Sequence, residues 1–481
     1  MDYSVNELAR HAGGDLLVPG QRRCMGIAWD SRTVGAGDVY VALPGARVDG
    51  HDFCGAALAA GAACLLVSRD PGSDVRDAAC AAGAGIVRVP DTFAAITDLA
   101  RAWRGELSGK VLAVTGSSGK TTTKNLVRAV LSAAGTTVAT EGNQNNELGV
   151  PATLLRADRT TAFVVVEMGM RGLHQLDALC AFVKPHAALV TNVGESHIEL
   201  LGSRDGIAHA KAEALAAVPA AGFAFVNASD DFVRELVAYG EVAAHGARLY
   251  PFDGSGADPA SYPEDLRPLV YASDITFDEE GAPSFVLHTP AGQAACRMRL
   301  AGAHNVQNAC AAAAVGSAWG VPLEAIVSAL EGARPVAGRQ HAVAGLRSST
   351  VIDDCYNANP DSLRASLATF ATMKVAGKRI AVLGDMGELG SFSEEAHTQA
   401  GAWAAAAGVD ELVAVGQFAP FVAAAAIETG IESAHVRTVA DASAALAAVE
   451  PLVGPGDCVL VKGSHSVGLE AVVKGLVPTH A

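Results

Sequence analysis

Short runs of apolar residues recur along the chain, and Ala-rich stretches of helical character separate them. The clearest runs lie at residues 111–115, 161–166, 187–191, 223–227, 379–384 and 458–462. A bounded apolar run of this length is typical of a strand buried inside a sheet. Strands that alternate with helices predict a mostly parallel sheet with helices on its faces, so the pattern predicts an α/β fold.

The run at 111–115 leads directly into a turn of small residues that opens a helix. The turn and the helix start comprise Gly116, Ser117, Ser118, Gly119, Lys120, Thr121 and Thr122. The inward N–H groups of such a turn and the positive end of the helix bind phosphate. The lysine can reach the outer phosphates, and the hydroxyl of Thr121 can bind Mg²⁺. Because Val114 replaces the usual early glycine, this is the shorter G-x-x-G-K-T form of the P-loop.

The length of 481 residues and the renewed alternation of strands and helices after residue 331 predict three domains. Residues 1–105 predict a small N-terminal α/β domain. Residues 106–330 predict a central P-loop ATPase domain with a parallel sheet, which ends in short edge strands and a helix. Residues 331–481 predict a C-terminal Rossmann-like α/β domain whose first strand and helix are not joined by a Gly-rich loop.

Composition narrows the classes of function. The net charge of −16 argues against non-specific binding of nucleic acid, although it leaves room for a local basic pocket. The nine cysteines form no C-x-x-C pair and lie among apolar residues, which predicts reduced core thiols in a cytoplasmic protein. The apolar run at 56–67 is too short to cross a bilayer, and the N-terminus has no apolar signal core, so we expect no membrane insertion.

Polar side chains follow several strands at the edge where active sites of parallel sheets lie. Glu167 follows the run at 163–166, so it reaches the same edge as the phosphate loop. We expect it to bind Mg²⁺ together with Thr121, because Mg²⁺ prefers oxygen ligands. His197 follows the run at 187–191 and is a candidate for a second metal site, although a lone histidine is usually structural.

Further candidates lie near the predicted boundary between the second and third domains. Asn305 and Asn308 stand three residues apart at a helix start, so they share a face. Arg339 follows a Pro/Gly linker, which suits a side chain that reaches across a domain boundary. Asp354 and Lys462 stand at strand ends of the third domain. Two sheets that face a cleft, one of which holds nucleotide, suggest a reaction that requires closure.

Spacing alone gives other residues an ordinary interpretation. Ser31, Arg32 and His51 lie in loops, where binding groups concentrate, but turn residues and a surface ion pair explain them as well. Lys211 lies in a helical stretch, where a surface lysine is the default expectation.

Several motifs together resemble the Mur ligase family. They are the phosphate loop, G-N-Q-N-N-E-L-G-V-P at 142–151, E-M-G at 167–169 and H-N-V-Q-N at 304–308. More specific runs resemble the member of the family that adds D-alanyl-D-alanine: D-D-C-Y-N-A-N-P-D-S at 353–362, G-D-M-G-E-L-G at 384–390 and K-G-S at 462–464. The segments D-S-R at 30–32 and D-G-H-D-F at 49–53 fit too, so the resemblance covers all three predicted domains. The D-N-P-R run of the diaminopimelate-adding member is absent.

The resemblance implies an ATP-dependent ligase of peptidoglycan synthesis, and hence of cell-wall formation, cell shape and cell division. ATP would phosphorylate the terminal carboxylate of UDP-MurNAc-tripeptide. The amine of D-alanyl-D-alanine would then attack the acyl phosphate and give the pentapeptide. We expect a cytoplasmic monomer that needs two Mg²⁺ ions.

The resemblance also implies a role for each candidate residue. Lys120, Glu167, His197 and Lys211 would be catalytic, with Thr121, Glu167, His197 and Lys211 holding the metal ions. The lysine aligned with Lys211 is often carbamylated in this family, which turns a cation into an anion. The remaining ATP contacts would come from the phosphate loop, Asn305, Asn308, Arg339 and Asp354. Substrate contacts would come from Ser31, Arg32 and His51 at the UDP end, Asn145 and Asn146 at the muramoyl group, and Asn357, Asn359 and Ser362 at the dipeptide.

The sequence leaves three questions open. A different ATP-dependent amide ligase, such as a folylpolyglutamate synthase or another Mur ligase, would share the middle domain but not the N-A-N-P-D-S run. A P-loop regulator or transport ATPase would hydrolyse ATP without an acceptor. The third residue of the tripeptide can be diaminopimelate or lysine. In addition, His465 stands where the family commonly has arginine after K-G-S, so we expect weaker dipeptide binding at alkaline pH.

Overall fold

The computed structural model describes residues 1–45 and 48–478. Over these residues the chain forms three large sheets and one small two-stranded sheet, with helices packed on the large ones. The predicted α/β fold with three domains is confirmed. One large sheet falls within each predicted domain, whereas the exact boundaries at 105 and 330 stay predictions.

The N-terminal part contains seven strands among the described residues: β1 Tyr3–Ser4, β2 Asp15–Val18, β3 Arg23–Cys24, β4 Gly26–Ala28, β5 Asp38–Val41, β6 Cys64–Val67 and β7 Gly85–Arg88. Five of them form the main sheet of this part, in the order β2-β7-β6-β5-β4. Its helices are α1 Val5–His11, α2 Cys54–Ala59, α3 Ser73–Ala82 and α4 Thr92–Glu106. The short strands β1 and β3 pair separately, and β2 is the antiparallel edge of the main sheet.

The middle part contains a nine-stranded sheet in the order β16-β15-β14-β13-β12-β11-β8-β10-β9. The strands are β8 Lys110–Thr115, β9 Thr137–Ala139, β10 Phe163–Glu167, β11 Ala187–Val190, β12 Phe223–Asn227, β13 Arg248–Asp253, β14 Val270–Phe277, β15 Pro283–Thr289 and β16 Gly292–Arg297. The helices are α5 Lys120–Ser132, α6 Gly149–Arg156, α7 Gln175–Val183, α8 Ile198–Leu201, α9 Arg204–Ala216, α10 Val233–Tyr239, α11 Ala303–Ala318 and α12 Leu323–Gly332. The parallel arrangement ends at β14, since β15 pairs antiparallel with both β14 and the edge strand β16.

The C-terminal part forms a six-stranded sheet in the order β17-β18-β22-β19-β20-β21, in which only β17 is antiparallel. The strands are β17 His341–Ala344, β18 Thr350–Asp354, β19 Arg379–Gly384, β20 Glu411–Val415, β21 Val436–Val439 and β22 Cys458–Lys462. The helices are α13 Pro360–Thr372, α14 Ser393–Ala406, α15 Ala419–Thr429, α16 Ala442–Val449 and α17 Glu470–Leu476.

The abundant small residues allow close packing of helices in the middle part. Helix α11 lies against α5, and a Cβ atom added at Gly316 would come within 2.5 Å of Cγ1 of Val130. Val130 itself is fully buried, which stabilises the fold by about 1.5–3 kcal/mol for a side chain of this kind. The packing brings the start of α11, with its asparagines, beside the phosphate loop that precedes α5.

Strand register explains why the candidate site lies at one edge of the middle sheet. Strand β8 is central, with β10 and β11 as its neighbours. Glu167 pairs in register with Val114, and Val190 pairs with Thr115, so all three strands end at the same level. The phosphate loop after β8 therefore lies between Glu167 and the segment that carries His197.

Two expectations from composition can be compared with the described residues. No helix in 1–45 and 48–478 combines the length and the apolar character needed to cross a membrane. All nine cysteines are free thiols; eight are buried and Cys80 is exposed.

Candidate active site

Two glycines shape the phosphate loop. Gly116 has a φ of +145°, and a Cβ atom at this position would come within 1.8 Å of Oγ1 of Thr191. Gly119 has a φ of +79° at the start of α5, and its Cβ would come within 2.7 Å of Oδ1 of Asn308. The loop can follow this path only with glycine at both positions, because any side chain would be strained and would collide.

Asn192 and Lys120 hold the loop from two sides. The amide of Ser118 donates to Oδ1 of Asn192 at 2.9 Å, and the amide of Ser117 donates to the backbone carbonyl of Asn192 at 3.0 Å. Nζ of Lys120 donates to the carbonyls of Gly116 and Ser117 at 2.6 and 3.2 Å. Burial lowers the pKa of Lys120, while the nearby Glu167 raises it. A phosphate would give this ammonium a stronger partner than two carbonyls.

Glu167 is buried beside the loop with one oxygen satisfied and the other not. Oε1 accepts hydrogen bonds from Oγ1 of Thr121 at 3.0 Å and from Nδ2 of Asn145 at 2.8 Å. Oε2 lies 3.4 Å from Nζ of Lys124, an ion-pair distance without hydrogen-bond geometry, and has no other partner among the described residues. A buried carboxylate oxygen without a hydrogen bond, next to a hydroxyl, fits an oxygen-preferring divalent cation such as Mg²⁺.

His197 lies across the loop from Glu167 in a left-handed backbone conformation, with a φ of 67°. Its Nδ1 is 2.5 Å from Oε2 of Glu388, a close approach that lacks the alignment of a good hydrogen bond. Burial lowers the pKa of His197 and outweighs the opposite effect of Glu388. The imidazole is therefore neutral at neutral pH, which is the form that binds metal ions.

Lys211 contradicts the expectation of a surface lysine. It lies on α9 and is only 1% exposed. Its Nζ makes no hydrogen bond among the described residues. Burial, with a smaller contribution from the charge of Lys120, holds the pKa of Lys211 well below its usual value. The lowered pKa favours the neutral amine, which is the form that can add CO₂, whereas the unmodified side chain does not fit Mg²⁺.

The asparagines on α11 form a connected set. Nδ2 of Asn308 donates to Oδ1 of Asn305 at 2.9 Å, and Oδ1 of Asn308 accepts from the hydroxyl of Thr123 at 3.0 Å. Nδ2 of Asn305 donates to the carbonyl of Ala301 at 2.7 Å. The two side chains thus share a face, as their spacing predicted, and they tie α11 to α5 beside the loop.

Arg339 reaches from the linker into the middle part. Its Nη2 donates to Oγ1 of Thr121 at 2.9 Å, and its guanidinium lies 4.2 Å from the ring centre of Tyr356. The prediction that this side chain crosses the boundary is consistent with the observed contact. A cation is thereby held beside the phosphate loop by an aromatic face of the C-terminal part.

A buried ion pair stands at the facing edge of the C-terminal sheet. Nζ of Lys462 lies 2.9 Å from Oδ2 of Asp354 and donates to the carbonyl of Asn357 at 3.0 Å. His304, from the other side of the cleft, lies near this pair, and burial lowers its pKa to about 4. These strand-end groups satisfy one another without a ligand.

The predicted dipeptide contacts also serve the structure of the C-terminal part. Asn359 caps α13 by accepting from the amide of Ser362 at 2.8 Å, and Oγ of Ser362 donates to the carbonyl of Asn359. Nδ2 of Asn359 also donates to Oγ of Ser118 at 3.1 Å and contacts Oγ of Ser196. The start of α13 therefore touches the phosphate loop directly, which closes the cleft at this point.

These elements enclose one large cavity of about 1550 Å³. Its lining includes the predicted residues Ser117, Ser118, Gly119, Lys120, Thr121, Thr122, Asn145, Asn146, Glu167, His197, Asn305, Asn308, Arg339, Asp354, Asn357, Asn359 and Ser362. Oδ1 of Asn146 accepts from the amides of Leu148 and Gly149 at 3.2 and 3.0 Å, so this oxygen is already used by the backbone at the start of α6. Lys211 lies behind this lining rather than on it.

Ser31, Arg32 and His51 do not line that cavity. The guanidinium of Arg32 is exposed and lies 2.6 Å from Oδ2 of Asp30, so the surface ion pair expected from spacing is present. Nδ1 of His51 lies 2.7 Å from Oδ1 of Asp49, and its Nε2 accepts from the amide of Ser68 at 3.0 Å. Contact between these residues and a UDP group stays a prediction.

His465 lies at the cavity wall, where the family commonly has arginine. Its side chain is 80% exposed, and Nδ1 is 2.8 Å from Oε1 of Glu470 within the same part of the chain. The expected effect on dipeptide binding stays a prediction.

Sequence reasoning missed two charged residues of the site. Lys124 is almost fully buried, and its Nζ donates to the carbonyl of Gly142 at 3.0 Å besides pairing with Glu167. Its position four residues after Lys120 places it one helical turn further along α5, which was the available signal. Glu388 belongs to the G-D-M-G-E-L-G run, which the sequence singled out without assigning a role to this residue.

A separate group of possible metal ligands has a structural explanation. His174, Asp177 and Glu213 lie close together outside the cavity. The two carboxylate oxygens of Glu213 accept from the amides of His174 and Asp177 at 2.6 and 3.1 Å. Glu213 therefore caps the start of α7, and its oxygens are used by the backbone.

Three family models match successive parts of the chain. They are the Mur ligase family catalytic domain at residues 24–104, the Mur ligase middle domain at 114–316 and the Mur ligase glutamate ligase domain at 338–465. The matches follow the same order as the three large sheets.

Relatives match over nearly the whole length. A UDP-N-acetylmuramoyl-tripeptide–D-alanyl-D-alanine ligase of Mycobacterium tuberculosis is 36% identical over 99% of this chain and 98% of its own. The ligase of the same name from Escherichia coli is 35% identical over 94% of this chain and 93% of its own.

Solved structures agree. A crystal structure of MurF from Acinetobacter baumannii has a TM-score of 0.82 and 32% identity over 98% of both chains. A crystal structure of MurF from Thermotoga maritima in complex with ADP has a TM-score of 0.75 and 26% identity over 94% of this chain and 97% of that chain. The chain belongs to the Mur ligase family and groups with its UDP-N-acetylmuramoyl-tripeptide–D-alanyl-D-alanine ligases.

Proposed function

We propose that the chain is an ATP-dependent ligase that joins D-alanyl-D-alanine to UDP-MurNAc-tripeptide and so makes the pentapeptide precursor of peptidoglycan. Its similarity to ligases of that name extends over nearly the full length. The observation that carries the proposal is the cleft itself, in which a phosphate loop with an incompletely bonded buried carboxylate faces the polar strand ends of a second sheet.

The first step activates a poor electrophile. An oxygen of the terminal carboxylate of the tripeptide attacks the γ-phosphorus of ATP, and ADP leaves. Lys120 and the positive end of α5 hold the phosphates and stabilise the negative charge that develops on the transferring group. Asn305, Asn308 and Arg339 lie where they can position the rest of the nucleotide. The structure of the Thermotoga maritima relative in complex with ADP supports nucleotide binding.

The second step forms the amide. The amine of D-alanyl-D-alanine attacks the carbonyl carbon of the acyl phosphate, and phosphate leaves as the tetrahedral intermediate collapses. The C-terminal part presents Asn357, Asn359 and Ser362 to this side of the cavity. The start of α13 closes the cleft beside the phosphate loop, and exclusion of water there would protect the acyl phosphate.

Glu167 and Thr121 would hold one Mg²⁺ ion, and His197 with a carbamylated Lys211 would hold a second. Bound Mg²⁺ neutralises phosphate charge during transfer. The burial of the Lys211 amine, which lowers its pKa and so favours the neutral form, supports the modification, since a carbamate would supply an oxygen ligand. Asp354 would contact the nucleotide from the opposite side of the cleft.

We propose that the three parts of the chain divide the work at the predicted boundaries. Residues 1–105 would bind the UDP end through Ser31, Arg32 and His51, and Asn145 with Asn146 would face the muramoyl group. Residues 106–330 would bind ATP, and residues 331–481 would bind the dipeptide. The cytoplasmic location and the monomeric state stay predictions.

The test measures ADP release by the purified protein with each substrate omitted in turn, together with the mass of the product. We expect release only when ATP, UDP-MurNAc-tripeptide and D-alanyl-D-alanine are all present. Tripeptides ending in diaminopimelate or in lysine would identify the third residue. ADP release without any acceptor would contradict the proposal and favour a P-loop ATPase. Turnover with a different amino acid would favour another amide ligase.

A further inference from the structure

The run at 384–390 has no role in the reaction above, yet it brings a carboxylate of the C-terminal part onto His197. Oε2 of Glu388 lies 2.5 Å from Nδ1 of His197. The contact lacks the alignment of a good hydrogen bond, but a carboxylate oxygen this close would repel a lone pair on Nδ1 and therefore favours the tautomer that carries the proton there. The other ring nitrogen, Nε2, has no protein partner among the described residues.

The backbone holds both residues in an unusual conformation. Glu388 has a φ of 62° and His197 a φ of 67°, a left-handed conformation that is strained for residues with side chains. Strain of this kind persists only where the surroundings enforce it. Here the amide of Glu199 donates to the carbonyl of Glu388 at 3.4 Å, and a Cβ added at Gly390 would come within 2.8 Å of Cγ of Glu199.

The second oxygen of Glu388 is also engaged. Oε1 lies 3.3 Å from Nη2 of Arg171, which follows β10 on the middle sheet. The Glu388 side chain is 40% exposed and the Arg171 side chain 71%, so this ion pair is weak by itself. It nevertheless fixes the direction of the carboxylate. Glu388 thus lies between two groups of the middle part, and its contact with His197 requires the two sheets to be close.

Histidines that bind a metal ion through one ring nitrogen usually donate the other N–H to a carboxylate, which fixes the tautomer and the ring orientation. We propose that Glu388 is a positioning residue for His197, which orients Nε2 toward a metal ion only when the C-terminal part closes on the middle part. The inference rests on the proposed function, in which His197 holds the second ion. It explains why His197 is contacted by a carboxylate from the opposite wall of the cleft.

Manganese tests the inference without relying on turnover. The purified full chain is titrated with Mn²⁺ in the presence of bicarbonate and a non-hydrolysable ATP analogue, and bound ions are counted by electron paramagnetic resonance. We expect two ions on the unchanged chain. Glu388→Ala should weaken one of them by about 10- to 100-fold and leave the other unchanged. Glu388→Gln keeps an acceptor oxygen and should recover part of the loss.

The matched control is Glu394→Ala, which removes an exposed carboxylate from α14 in the same part of the chain. It should bind both ions as the unchanged chain does. The ion retained at Glu167 shows that each variant is folded.

Three results would overturn the inference: two unchanged ions in Glu388→Ala, a Gln variant as weak as the Ala variant, or a single ion on the unchanged chain. If product still forms in any of these cases, the proposed function stands and only the role of Glu388 is lost.

Discussion

The two walls of the cleft differ in how their buried charges are satisfied. On the wall of the middle part, Oε2 of Glu167 lacks a hydrogen bond, and behind this wall the amine of Lys211 is buried. On the wall of the C-terminal part, Lys462 pairs with Asp354 at 2.9 Å, and Asn359 is used as a helix cap. Both walls are polar, and Oε1 of Gln340 on the C-terminal wall is also buried without a partner, but among the described lining residues only the middle wall has a buried carboxylate oxygen without a hydrogen bond.

This difference indicates which wall binds the charged ligands. A buried polar group without a partner costs about 1–3 kcal/mol, so a fold retains it where a ligand completes it. A buried pair that is already complete contributes to holding its own part of the chain in shape. We therefore expect substitutions on the middle wall to change activity and substitutions on the C-terminal wall to change stability first.

Lys211→Ala should produce the largest effect. If the lysine carries a carbamate that holds an ion, turnover should fall by about 10³-fold or more, because the charge on the transferring phosphoryl group loses its counterion. Added short carboxylates should restore part of the activity by occupying the vacated space. The measurement is ADP release with both substrates present.

The companion variant Lys211→Met keeps the length of the side chain without the amine. It should be inactive and yet unfold no more easily than the unchanged chain, because no hydrogen bond is lost. Full activity in Lys211→Ala would contradict the role given to this residue.

Glu167→Gln should have the next largest effect on turnover. The amide keeps the shape of the side chain but not its charge, so we expect kcat to fall by about 10²-fold and the Mg²⁺ requirement to rise. Glu141→Gln, which changes an exposed carboxylate, is the control and should leave both quantities unchanged. An unaltered Mg²⁺ dependence in Glu167→Gln would place the metal elsewhere.

The C-terminal wall is tested by breaking its ion pair. Asp354→Asn or Lys462→Met alone leaves a buried charge without its partner and should lower the free energy of unfolding by about 3–5 kcal/mol. The double substitution should cost less than the two single ones together. Denaturant unfolding of the four proteins measures the coupling, and strictly additive losses would show that the pair is not coupled.

His304 should give the smallest effect, through pH. Its pKa is lowered to about 4 from the ordinary 6.5, so the unfolded chain takes up a proton at a higher pH than the folded one. The stability tied to neutral His304 is complete above pH 6.5 and is lost as the pH falls toward 4, by up to about 3 kcal/mol. His304→Gln should flatten this part of the stability profile, and an unchanged slope would contradict the assignment.

The fold could be predicted well because each strand is marked by a short apolar run in the sequence. Runs such as 223–227, 379–384 and 458–462 coincide with β12, β19 and β22, since a buried parallel strand must be apolar throughout. The strand-end positions of Glu167 and Asp354 followed from the same logic. Spacing could not predict contacts between residues that are far apart along the chain. The environment of Lys211 and the partner of Lys462 both depend on such contacts.

The N-terminal residues mark a different limit. Arg32 and His51 lie at loop positions, and the observed contacts of both with neighbouring aspartates fit a structural interpretation as readily as a binding one. Glu388 was visible only as part of a motif, because its partner His197 belongs to another sheet. Family resemblance, rather than spacing, assigned roles to Arg32 and His51.

The central claim is that the cleft forms an acyl phosphate on the tripeptide. The direct measurement uses UDP-MurNAc-tripeptide labelled with ¹⁸O in its terminal carboxylate, together with ATP and D-alanyl-D-alanine, and analyses the released phosphate by mass spectrometry. If a carboxylate oxygen attacks the γ-phosphorus, each released phosphate carries one ¹⁸O atom and the new amide retains the other. Phosphate that is free of label would show that its oxygen came from water and would contradict the account.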